Sequence, residues 1–85
     1  MSEDFKLNAT KKSIARCLSE MDMLDDDLFK CMQRDVGHGR PAFNSARDQM
    51  IGAKEIARIG SVLRKRKLHI TDSGRQRYLG KNNGQ

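Results

Sequence analysis

Leu63-Arg64-Lys65-Arg66-Lys67-Leu68-His69-Ile70-Thr71-Asp72-Ser73-Gly74-Arg75-Gln76-Arg77-Tyr78-Leu79 opens on four adjacent cations and closes on a new regular stretch. Between them, Leu68 and Ile70 flank His69 with the alternation of a short strand whose two apolar side chains face inward. Thr71-Asp72-Ser73-Gly74 then offers two continuations. Thr71 can cap a final helix, or the Asp-Ser-Gly turn can fold residues 75–79 back on 67–70 as a hairpin. The four cations also need an explanation. One or two would satisfy the negative end of a helix dipole, whereas four repel one another unless a polyanion neutralises them.

Across the whole chain, the charge follows the same division. The 85-residue chain has a formal net charge of +6, yet residues 1–36 carry six Lys and Arg against eight Asp and Glu. Residues 37–85 carry eleven against three. A field so confined to one half attracts polyanions and raises encounter rates with them, although a solvated basic surface is the plainer account.

Upstream, the apolar period is helical. Ile14, Cys17, Leu18 and Met21 recur at three- and four-residue steps, which predicts a helix from about Thr10 to Met21 with Asn8 or Thr10 as its cap. Residues 1–9 read as a flexible arm in front of a single helical domain, 10–79, with 80–85 as a disordered tail. Leu24, Leu28, Cys31 and Met32 give a second buried stripe, and Asp25, Asp26 and Asp27 fall in its first turn, where carboxylates favour the helix dipole. The three aspartates lack the alternating ligands, turn glycine and distal Glu of a calcium loop.

Gly37-His38-Gly39-Arg40-Pro41 marks a loop, with His38 as a solvated loop residue. Beyond it, Ser45 and Asp48 resemble a capping box, and the apolar positions from Ala46 to Leu63 predict two helices, 44–51 and 53–66, joined at Gly52. One uninterrupted helix with tolerated glycines is the competing assignment. The expected fold is therefore mainly α: about four helices with a short C-terminal strand or hairpin.

The run from Leu63 to Leu79, with Ile70-Thr71-Asp72-Ser73-Gly74-Arg75 leading to Tyr78-Leu79, resembles the "leucine-threonine-x-x-glycine-arginine" segment that closes the winged helix-turn-helix domain of many bacterial and phage regulators. The resemblance implies a winged-helix-like fold in which Thr71 caps a last helix and Tyr78 and Leu79 pack on the core. It also implies that the preceding helix, Ala53 to Lys67, enters the major groove with Lys54, Arg58, Arg64, Lys65 and Arg66 as its contacts. Lys67, His69, Arg75 and Arg77 complete the expected nucleic-acid-binding set. So few residues separate the helix from Ile70 that the wing is expected to be very short or missing.

Duplex DNA is the expected partner, with RNA as the alternative polyanion. The scarcity of aromatic residues (Phe5, Phe29, Phe43 and Tyr78) argues against single-strand stacking. A partner of another class, a host protein, would dock on residues 10–36, with Met21, Met23, Met32 and Met50 as adaptable contacts. No spacing assembles a nucleophile, a base and an orienting group, so neither an enzyme nor a cofactor is expected. Cys17, Cys31, His38 and His69 match no zinc spacing, and both cysteines read as reduced core residues. Without a secretion signal or an 18-residue apolar run, the expected location is the cytoplasm, with no membrane contact.

Overall fold

A computed structural model describes residues 3–60 and 66–80. The expected contacts Arg64 and Lys65 and the tail from 81 to 85 lie outside the described residues. The element order is α1 (Glu3–Leu18), β1 (Met23–Leu24), α2 (Asp25–Val36), α3 (Arg40–Gly52), β2 (Ile56–Ile59), β3 (Lys67–Ile70) and α4 (Asp72–Gly74). A π-helical turn, Arg75–Leu79, continues α4 and ends at Gly80 in the left-handed conformation. The fold is mainly helical with one small three-stranded antiparallel sheet, a winged-helix-like domain as expected.

The sheet has the order β1-β3-β2. Met23 pairs with Leu68 on one side of β3, and Ile56 with Ile70 on the other. Leu68 and Ile70 are buried as their alternation predicts. They meet Ile14 and Leu18 of α1, Leu28 and Met32 of α2, and Phe43, Ala46 and Met50 of α3 in one core. Each large aliphatic or aromatic side chain there contributes roughly 1.5–3 kcal/mol by leaving water. Met32 and Met50 are thus unavailable as contacts for a partner, whereas Met21 is 61% exposed.

Several expected boundaries move for identifiable reasons. α1 begins at Glu3. Thr10 is buried inside it, its hydroxyl donating back to the Lys6 carbonyl at 2.9 Å and lying 2.7 Å from His38 Nδ1, so it caps nothing. His38 is accordingly half-buried and tied to α1. α3 starts at Arg40, with Gly39 as its cap and Pro41 in its first turn, where a missing N–H costs nothing. Ser45 is therefore an exposed residue within that helix.

The larger correction lies downstream. The expected helix 53–66 is not formed over its described residues 53–60, and residues 61–65 lie outside the described residues. Lys54 adopts a left-handed conformation, φ 64°, which turns the chain out of α3, and Ile56-Ala57-Arg58-Ile59 continues as a strand. Two isoleucines three apart suggest the helical period, but in the strand they face opposite sides, Ile56 buried and Ile59 exposed, and β-branched side chains favour the strand once a sheet partner exists. Where the expected helix would end, Lys67 already begins β3, the strand that pairs with β2.

Cys17 of α1 and Cys31 of α2 form a disulfide, where two thiols are expected. Packing of the two helices brings their Cα atoms to 6.3 Å, within bonding range. With the sulfurs joined and His38 and His69 held by Thr10 and by Asp22 Oδ1 at 2.8 Å, the four residues do not converge as a ligand set. No helix among the described residues is long and apolar enough to cross a membrane.

Candidate nucleic-acid interface

α3 buries Phe43, Ala46 and Met50 and turns the opposite side out. At helical spacing, Pro41, Asn44, Ser45, Asp48 and Gln49 occupy that outer side, all exposed except Asn44, which is half-buried. These side chains carry amide, hydroxyl and carboxylate groups and no cation. The two arginines of α3 are engaged elsewhere. Arg40 donates to Asp25 Oδ2 at 2.9 Å and Asp26 Oδ1 at 3.4 Å, with its guanidinium 4.8 Å from the Phe29 ring centre and 5.3 Å from that of Phe43. Arg47 reaches Asp25 Oδ1 at 2.8 Å and Asp48 Oδ1 at 3.0 Å.

Burial works to lower the Arg47 pKa, but the hydrogen bonds to Asp25 and Asp48 outweigh it and leave the guanidinium above its ordinary value. The acidic first turn of α2 thus serves α3 as well as its own dipole. Sequence reasoning placed Asp25 for the second purpose only.

The strand pair differs in kind. Arg58 on β2, Arg66 and Lys67 at the start of β3 are exposed, and among the described residues none of the three forms an ion pair. Arg58 and Arg66 share an open depression with Leu24, Asp25 and Asp26, so they lie beside the carboxylates that hold the α3 arginines. Lys54 is exposed at the joint between α3 and β2.

The remaining expected contacts go elsewhere. His69 is bound to Asp22. Arg75 extends toward the Ser19 carbonyl at 3.5 Å, and Arg77 pairs with Glu55 Oε2 at 2.9 Å. The fold therefore brings together Arg58 and Arg66, places Lys67 beside Met21 and Met23 in a separate depression, and leaves Arg75 and Arg77 on the C-terminal turn. Asn44, Ser45, Asp48 and Gln49 lie within the expected helix 44–51 but outside the expected contact set, because the resemblance assigns the groove to the segment that follows; Gly39 followed by Pro41 is the sequence signal for the earlier start of α3.

The C-terminal turn locks the joint from which β2 departs. Thr71 caps α4, accepting from the Gly74 amide at 3.1 Å while donating to the carbonyls of Lys54 and Glu55 at 2.8 and 3.0 Å. Of the two continuations after Ile70, the capped helix is the one formed. A side chain at Gly74 would place its Cβ 2.1 Å from the Glu55 carbonyl oxygen, so glycine is required for this approach. Glu55 is buried, and its carboxylate accepts from the Tyr78 hydroxyl at 2.7 Å as well as from Arg77. Burial, then the bond to Glu55, pushes the Tyr78 pKa up to about 12. The threonine and glycine that carry the resemblance are therefore the residues that fix where α3 ends and the sheet begins.

The overall fold has a counterpart among solved structures. A candidate transcriptional regulator of Thermoplasma acidophilum superposes with a TM-score of 0.76 over 94% of this chain and 81% of that one, at 20% sequence identity. At that identity the likeness establishes the fold alone. No family model matches the sequence, and no curated protein does. Within the shared fold, α3 and the β2–β3 pair are the elements whose exposed polar and cationic groups are described above.

Proposed function

We propose that this chain is a duplex-DNA-binding regulator of the winged helix-turn-helix kind found in bacterial and phage regulators, acting in the cytoplasm and without catalysis. α3 enters the major groove with its outer side, and Arg58, Arg66 and Lys67 meet the flanking phosphates, joined by Arg64 and Lys65 from the connecting segment. The observation that carries this reading is the contrast between two elements: a polar helix side whose arginines are held, and cations at the strand pair that have no ion-pair partner among the described residues. Unpaired surface cations are what phosphate neutralisation and counterion release require. The likeness to a candidate transcriptional regulator supports the same reading.

A mobility-shift titration of duplex DNA, single strands and structured RNA at two salt concentrations tests it. Duplex DNA should bind best, with an affinity that falls steeply as salt rises. A flat salt response removes the proposal, and a preference for structured RNA transfers the interface to that polymer.

A second reading has one observation in its favour. Met21 is exposed and shares an open depression with Met23, Lys30 and Arg34, on the segment 10–36 that would dock a host protein. Recovery of a single host protein on this chain after nuclease treatment, lost in Met21→Ser, would favour it.

A further inference from the structure

Asp25 holds both arginines of α3. Its two oxygens are divided between them, Oδ2 to Arg40 at 2.9 Å and Oδ1 to Arg47 at 2.8 Å. Arg47 is confined further: its side chain is 15% exposed, and its guanidinium lies 5.5 Å from the Phe43 ring centre. Swinging it outward would strip a half-buried carboxylate of one of its two partners and uncover one edge of Phe43. An arginine so held is not available to a base edge.

The confinement limits which bases α3 can read. In the major groove, arginine is the residue that bonds guanine O6 and N7 in bidentate fashion, whereas asparagine and glutamine bond adenine N6 and N7 in the same way. The outer side of α3 offers Asn44 and Gln49 as amides, Ser45 as an undiscriminating hydroxyl, and Asp48 as an acceptor suited to cytosine N4. We infer that Asp25, by sequestering Arg40 and Arg47, sets the specificity of the protein: α3 selects duplexes that present adenine to Asn44 and Gln49 and makes no arginine contact to guanine. The inference rests on the proposed reading of DNA by α3. Positive charge for the phosphates then comes from the strand pair, so affinity and base choice are assigned to different elements.

Selection from a pool of duplexes with randomised sequence tests this, using the wild-type chain, Asp25→Asn, and the double variant Asn44→Ala with Gln49→Ala. Wild type should enrich adenine at two or more positions. The double variant should lose roughly tenfold of the preference at each of them, the scale of one good bidentate pair. Asp25→Asn should gain guanine at one or two positions, with a thermal melt confirming that it is folded; if it does not fold, the double variant decides alone.

Guanine enrichment by the wild-type chain that disappears in Arg40→Ala or Arg47→Ala overturns the inference. Salt-dependent duplex binding with no enrichment of any base also overturns it, while leaving the proposed DNA-binding role in place. Absence of duplex binding even in dilute salt removes both.

Discussion

The α2–α3 contact and the β2–β3 pair each carry arginines, and their surroundings give those arginines opposite uses. Between α2 and α3, Arg40 and Arg47 are paired with Asp25, Asp26 and Asp48 and lie over Phe29 and Phe43. At the strand pair, Arg58 on β2 and Arg66 just before β3 sit within the same neighbourhood yet have no ion-pair partner among the described residues. A guanidinium packed on rings and bonded to carboxylates stabilises the fold and specifies helix geometry. One left in water contributes little to stability and is ready for an incoming anion. Counting basic residues cannot separate the two roles.

With the arginines so divided, changes on the two sides should have separable readouts. The largest effect on stability should come from the scaffold behind α2. Replacing Cys17 and Cys31 by serine removes a crosslink between residues 14 apart, which should lower unfolding stability by about 3 kcal/mol. Denaturant melts measure it, and the salt dependence of DNA binding by the folded protein should be unchanged. On the other side, Arg58→Ala, Arg66→Ala and Lys67→Ala together should leave the melt within about 0.5 kcal/mol of wild type. Affinity for duplex DNA should fall on the order of a hundredfold at 0.1 M salt, with a log–log salt slope flatter by about 2.7. A triple variant that melts early but binds with an unaltered slope would erase the distinction.

Gly74→Ala sharpens the boundary between the two regions. Its new Cβ meets a backbone carbonyl that cannot rotate away, so a loss of roughly 1–3 kcal/mol is expected, readable as a lower denaturant midpoint. Hydrogen exchange should locate the loosening at residues 54–59, where Thr71 and Gly74 grip the joint.

The smallest effect is one of pH. Tyr78 is raised from an ordinary 10.0 to about 12, so its proton is bound more tightly in the folded state. The stability this contributes is complete below pH 10 and is lost as pH rises through 12. Melts of Tyr78→Phe and wild type across that window should converge as pH rises, the variant being less stable by about 1 kcal/mol at neutral pH through loss of the bond to Glu55. Curves that stay parallel would show that Glu55 does not hold that proton.

Much of this molecule is legible in its amino-acid order. The 3.6-residue period marks the buried stripe of α2, and period two marks Leu68 and Ile70 as the inward side of a strand, because each pattern repeats within one element and needs no partner to be seen. The capping chemistry of Thr71 is likewise local, satisfied by an amide three residues on. The concentration of positive charge in the second half is a property of composition alone.

Tertiary structure decided what depends on partners distant in sequence. Ile56–Ile59 is a strand because β3 supplies its hydrogen bonds. Cys17 and Cys31 are joined because α1 packs on α2. Arg47 is held by a carboxylate 22 residues away, while Arg58, beside Asp25 and Asp26, forms no ion pair among the described residues. Pairing energies of this kind belong to contacts, and contacts across a fold are set by packing rather than by sequence neighbours, so the division of labour among the arginines exists only in the folded chain.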